Sequence, residues 1–364
     1  MAAMTSRERI ARILERQPVD RIGAHESFWP DTLRKWAQQG HVKEDESLHD
    51  HFGLDIRGAW PLNVVADMDA TEEIVEETDE TKLVRNGNGA LLRWWKNKSG
   101  TPEHVDFLVQ DRAGWDEHTR PHLLNGDWHR RRINFETYRD VRAKCRRENL
   151  FFCWNGVPPF ECMHPVCGHE HMLIGMALDP DWVRDMCEVY TELTINLMEI
   201  LFAAEGLPDG AFFFEDMGFK GKPFMSPAMY KEIVWPSHKR LFDYAHSKGL
   251  PVIVHSCGFV EPLVPGLIEA GMDCLQAMEV KAGMDLVELK KAYGDRIAFM
   301  GGLDIRTLVA NDRAAIQAEL DRKLPVAMAG GGYCLHSDHS VPDQVEYETY
   351  RFFLERGLEM GTYR

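Results

Sequence analysis

From residue 149 to residue 355 the chain alternates between short apolar runs and amphipathic runs, with one apolar run roughly every 25–40 residues. This alternation limits the fold more than any other feature of the sequence. LFFCWNGV, DGAFFFEDMG, LPVIVHSCG, MDCLQAM, DRIAFMGGLD and GGYCLHS read as strands. Between them lie DPDWVRDMCEVYTELTINLMEILFAAEG, SPAMYKEIVWPSHKRLFDYAHSKG, VEPLVPGLIEAG, MDLVELKKAYG and DRAAIQAELDRKLPVAMAG, with YETYRFFLERG at the end, and these read as helices. Strand followed by helix, repeated, gives a parallel sheet with helices outside. Two further apolar runs near 21 and 54 bring the strand count to about eight, and a closed (β/α)8 barrel is the natural solution. No GxGxxG follows the first strand, so a dinucleotide fold lacks its main support.

The remaining elements fit around this barrel. Thr5 or Ser6 can cap a first helix carrying Glu8 in its first turn and Ile10, Ile13 and Leu14 on one face. Residues 31–40 predict a helix closed by Gly40. Asp179 is placed to cap the long helix, with Pro180 at its first position and Gly206 at its end. Residues 130–147 are basic and predict a helix. Residues 72–120 differ: they alternate like strands, and NGNG at 86–89 signals a hairpin, so this stretch is expected as an excursion of hairpins. The expected organisation is a single barrel domain over 1–364.

Composition narrows the function classes. Of 364 residues, 44% are hydrophobic and 27% charged, an ordinary globular mixture. The formal charge of −16 repels phosphate, so nucleic acid and anionic membranes are poor partners. No stretch approaches the roughly 20 apolar residues of a bilayer span, and the N-terminus lacks a secretory h-region. Eight cysteines are too sparse for a disulfide scaffold at this length. The expectation is a cytoplasmic protein with reduced thiols.

In a barrel the chemistry sits at the C-terminal ends of the strands. Polar groups fall at those ends here: His25 and Glu26, Glu215 and Asp216, His255 and Cys257, Asp304, and Cys334 to His339. The sharpest pattern is VIVHSCG. Residues i and i+2 of a strand point the same way, so His255 and Cys257 can face one point in the barrel mouth. With one more thiolate, such a pair makes a catalytic-type Zn2+ site with an open fourth position. Cys334, at the end of the last strand, is the expected third ligand. The competing reading is a structural thiol beside a core histidine, and Cys274, inside its strand, fits that reading.

Three weaker patterns follow. ECMHPVCGHEHM holds Cys162, His164, Cys167, His169 and His171, without the spacing of a closed zinc site, and reads as a loop near the mouth. Glu215 and Asp216 are candidates for a fourth ligand or a general base. Lys220 and Lys222 follow on a Gly-rich loop able to hold an anion. After Cys334, Ser337, Asp338 and His339 form a polar loop in which Asp338 can orient an imidazole. HESFWP places Trp29 where it can wall a substrate or simply pack.

FFFEDMGFKGKPFMSPAMY, LPVIVHSCGFVEPLVPGLIEAGMDCLQ, AFMGGLDIR and GGYCLHSDHSVP together resemble the uroporphyrinogen decarboxylase superfamily, most closely from about 150 to 355. The resemblance implies a (β/α)8 barrel. It is closer to the zinc-dependent corrinoid methyltransferase branch, whose His-x-Cys and later Cys fall on His255, Cys257 and Cys334. True decarboxylases carry an arginine-bearing RQAGRY-like motif near the N-terminus, where this chain has AHESFWPDTLRKW. What the resemblance implies is zinc-assisted methyl transfer between a corrinoid and a small thiol or methylated substrate. The corrinoid is expected on a separate partner protein, because no DxHxxG segment is present. A homodimer is compatible with this reading. Glu215, Asp216 and His339 are the expected catalytic groups. The alternative enzyme is a cofactor-free lyase, a decarboxylase or relative acting on a small carboxylated substrate, with Asp216 and His339 as acid and base. A degenerate, ligand-binding barrel is the non-enzymatic alternative, disfavoured by the intact His255, Cys257 and Cys334.

Overall fold

The computed structural model describes residues 3–363. Eight parallel strands run in the order Gly23–Ala24, Tyr333–Leu335, Ala298–Gly301, Cys274–Ala277, Val252–Ser256, Gly210–Phe214, Phe151–Gly156 and Ile56–Ala59. Apart from the first and last, each strand pairs with its neighbour in sequence around the ring, as a (β/α)8 barrel requires. The seam between the first strand and Ile56–Ala59 is closed by Asp55. Its N–H donates to the Ala24 carbonyl at 2.8 Å and its carboxylate accepts the Ala24 N–H at 2.8 Å. Arg9 and Arg21, each 2.9 Å away, satisfy this fully buried carboxylate.

Inside the barrel the period of two sorts the side chains into layers. Phe212, Ile253, Cys274, Met300 and Cys334 fill a lower, apolar layer. The helix Ser6–Leu14 plugs it from below with Ile10, Ile13 and Leu14. Thr5 and Glu8 form the reciprocal cap of that helix, satisfying two otherwise orphaned N–H groups. One step further along the same inward faces stand Phe214, His255, Gln276 and His336. The barrel is therefore apolar at the bottom and polar at its C-terminal mouth.

The outer helices largely match the expectation. Pro180–Glu205 starts at the Asp179 cap and ends at Gly206, whose φ of +82° favours glycine. The basic stretch folds as a 3-10 segment, Gly126–Arg132, then Phe135–Glu148. Residues 73–107 form a four-stranded antiparallel sheet beside the barrel, with NGNG as its central turn. The stretch 161–172 is not a loop. It lies in the helix Pro159–Leu178, broken at Gly168 with φ +70° and ψ +161°. Among the described residues, no helix is long and apolar enough to cross a membrane.

Candidate active site at the barrel mouth

The parity of strand Gly210–Phe214 separates the two carboxylates that follow it. Phe212 and Phe214 point inward, so Asp216 continues inward and Glu215 outward. Glu215 is fully buried behind the barrel wall. Its carboxylate accepts the N–H groups of Phe160 at 3.1 Å and Glu161 at 2.8 Å, and it pairs with His238. It fixes the start of the helix Pro159–Leu178 and does not line the mouth, unlike Asp216 and His339, the other two expected catalytic groups.

Asp216 meets the His-x-Cys pair. His255 Nε2 stands 3.2 Å from Asp216 Oδ1 and 3.3 Å from Cys257 Sγ. Asp216 also accepts the Cys257 N–H at 2.8 Å. The ligand atoms of Asp216, His255 and Cys257 lie within 4.8 Å of one another. On its far side, His255 Nδ1 hydrogen-bonds Gln276 Oε1, a group the sequence reading did not single out. Gln276 Nε2 in turn lies 3.2 Å from His336 Nε2. An amide oxygen can only accept, so Nδ1 carries a proton and Nε2 is the nitrogen that faces Cys257 and Asp216.

The electrostatics follow from that contact. Burial works against the His255 imidazolium, but the Cys257 and Asp216 charges outweigh it and hold its pKa well above the ordinary value. Burial would raise the Asp216 carboxyl; His255 and Cys257 outweigh it and hold that group at about 2. Burial pushes the Cys257 thiol up, against the pull of His255. The raised His255 and the lowered Asp216 together describe an imidazolium beside a carboxylate, with Cys257 as the neighbouring thiol.

Cys334 is not part of this cluster. It lies in the lower apolar layer, where burial raises its pKa and Asp55, Cys274 and Arg21 are its charged or polar neighbours. The residue of its strand that reaches the mouth is His336, two positions on. His336 is buried 3.3 Å from Glu26 and its pKa is lowered by burial to about 3. Burial raises Glu26 to about 8, against N–H and hydroxyl donors from Ser27 and Ser337. Asp338 does not orient an imidazole as expected. It accepts the N–H groups of Ile305 and Val280, both at 2.7 Å, and ties two mouth loops together.

Two cavities open beside Cys257. One, of about 270 Å3, is lined by Asp216, His255, Gln276 and His336, with Phe214, Trp29 and His339 as its walls. The Trp29 and His339 rings lie 6.4 Å apart. The other, of about 570 Å3, lies on the opposite side of Cys257 and carries Lys220, Lys281 and Arg306. Lys281 and Arg306 are paired with Glu279 and Asp304. Lys222 lines neither cavity.

The break at Gly168 brings a second set of side chains together. His164 and His169 stack with ring centroids 4.4 Å apart, and His104, from strand Glu103–Phe107, lies 5.8 Å and 6.2 Å from them. Burial and the neighbouring His164 lower the pKa of His104; burial, His164 and His104 lower that of His169, to about 4. Cys162 and Cys167 of the same segment face the core instead, bonded to the carbonyls of Val157 and Met163.

The chain matches the profile described as Uroporphyrinogen decarboxylase (URO-D) over residues 155–359, more than half its length. Over 153 residues it is 26% identical to the Methylated-thiol--coenzyme M methyltransferase of Methanosarcina mazei. That match takes in 42% of this chain and only 39% of the relative's length. A solved methyltransferase from Methanosarcina mazei superposes with a TM-score of 0.65 at 15% identity, covering 98% of each chain, which is a likeness of fold. With a barrel of this topology and a profile match over most of its βα units, the chain belongs to the uroporphyrinogen decarboxylase (URO-D) family.

Proposed function

We propose that the chain is a zinc-dependent methyltransferase, moving a methyl group between a corrinoid carried by a partner protein and a small thiol or methylated substrate. One observation carries this reading: an imidazole, a thiol and a carboxylate converge at the barrel mouth beside a small cavity. This donor set of one N, one S and one O suits Zn2+ and leaves a fourth position for a substrate atom. Gln276 fits the reading too, because it fixes the tautomer that offers Nε2 once that nitrogen gives up its proton. The methyltransferase likenesses support the activity class.

Zinc held at this site supplies Lewis acidity, which stabilises a substrate thiolate or polarises the heteroatom of a methylated substrate. His255, Cys257 and Asp216 are the groups that hold it. Phe214 and Trp29 give the cavity apolar walls that pack a methyl-bearing substrate and keep water out. His339, on the same wall, is placed to accept the proton of an incoming thiol. The basic cleft on the other side of Cys257 suits an anionic group on the substrate, with Lys220 as its contact. The corrinoid protein docks over the mouth, and the setting is cytoplasmic.

Metal analysis of the purified protein tests this. Wild type should carry zinc that Cys257→Ala loses, while circular dichroism shows both folded. Release of CO2 from a carboxylated substrate without corrinoid or metal would establish the lyase reading instead, with Asp216 and His339 as acid and base.

A further inference from the structure

We propose that His104, His164 and His169 form a second metal site, which takes a divalent transition ion of borderline softness, zinc first, and clips the antiparallel sheet to the barrel. The ligand nitrogens of the three residues lie within 4.8 Å of one another. A tetrahedral ion with Zn–N bonds of about 2.0–2.1 Å draws such nitrogens to about 3.4 Å apart, a contraction within the reach of side-chain rotation. Rotation opens the His164–His169 stack and turns both nitrogen edges toward a common point.

An independent feature singles out His164. Its Nε2 is 2.8 Å from Glu161 Oε1, and its Nδ1 is buried with no hydrogen-bond partner. With the proton on Nε2, donated to Glu161, Nδ1 is left as a bare acceptor. A buried acceptor without a partner costs free energy, and a cation would satisfy it. Carboxylate, imidazole and metal in series is the arrangement that metal-ligating histidines use to set tautomer and basicity. Glu161 is itself held in place, because its other oxygen accepts the Asp216 N–H at 3.2 Å.

The architecture supports a clip. His104 comes from the last strand of the antiparallel sheet, whereas His164 and His169 flank the helix break at Gly168. Five residues apart, the two would not share a face of a regular helix; the break brings their rings together. Among the described residues the sheet's own apolar core is small, with Ala90, Leu92 and Phe107 as a cluster and Leu83 and Val84 also buried. A cross-link to the barrel adds to the apolar packing of Phe107 against Gly168. The donor set is all imidazole, so it is chemically distinct from the site at Cys257.

The test is metal stoichiometry on the full chain, reconstituted with Zn2+ and then with Co2+. Wild type should hold two equivalents, and His169→Ala and His104→Gln one each. Cys257→Ala should also hold one, and Cys257→Ala combined with His104→Gln none. With Co2+, the histidine variants should keep thiolate-to-metal charge-transfer absorption, whereas Cys257→Ala should keep only ligand-field bands. If His169→Ala disturbs folding, His104→Gln, on the partly exposed sheet, gives the same readout. Equal metal content in wild type and both histidine variants overturns the proposal. Loss of one equivalent in the histidine variants, with none lost in Cys257→Ala, supports this site while refuting the one at the barrel mouth.

Discussion

His255 gives its Nδ1 to the Gln276 amide and turns Nε2 toward Cys257, whose Sγ lies 3.3 Å away. This one contact decides which imidazole nitrogen is offered to a metal. Gln276→Ala should weaken zinc binding by about 10–100-fold, the usual effect of removing an outer partner of a ligating histidine. Gln276→Glu, which accepts the same N–H, should restore it. Competition with a chromogenic chelator measures both.

Glu215 tests the division between mouth and wall. Its two oxygens serve two backbone N–H groups and His238. Glu215→Ala orphans those donors and should cost about 2–5 kcal/mol in denaturant unfolding. Glu215→Gln, which keeps an acceptor and the side-chain volume, should retain a turnover number within a few-fold of wild type. A turnover loss of several orders of magnitude in a folded Glu215→Gln would return this residue to the chemistry.

Glu26 predicts a pH dependence of stability. Burial holds its pKa at about 8 in the folded protein, against an ordinary value of 4.5. The folded state therefore holds a proton that the unfolded state gives up between these values. The stabilisation is complete below the lower value and is lost as pH rises through about 8. Glu26→Gln cannot lose that proton, so its stability should stay flatter from about pH 5 to about pH 8. Urea midpoints across that range measure the difference.

Gly168 predicts a local defect. A Cβ built there would lie 2.5 Å from Phe107 Cε2, on a backbone with φ of +70°. Gly168→Ala should destabilise by about 1–3 kcal/mol. Hydrogen exchange should rise first in strand Glu103–Phe107, which that phenylalanine anchors.

Much of this architecture is legible in the sequence because it depends on local periodicity. Apolar runs alternating with amphipathic ones mark the strands and helices, and NGNG marks the turn of the side sheet. The spacing of His255 and Cys257 puts them on one face. What the sequence hides is height within the barrel. Cys334 and His336 share an inward face, one inside the short strand Tyr333–Leu335 and the other just past its end, so the pattern does not tell which one reaches the mouth. Tilt and stagger of the whole barrel set that. Glu215 and Asp216 differ by one residue and so by side; alternation from Phe212 and Phe214 resolves them once the inward face is known. Pro165 and Gly168 disguise a broken helix as a loop, and the partner of its histidines, His104, is far away in sequence.

The most direct measurement is the rate of methylcobalamin consumption with a panel of thiols, for wild type and Cys257→Ala at matched fold content. Wild type should consume methylcobalamin only with a thiol present, the rate should fall by about 100-fold or more in Cys257→Ala, and chelation of zinc should bring wild type down to a similar level. Full activity in Cys257→Ala, or activity unchanged by removal of zinc, would contradict it.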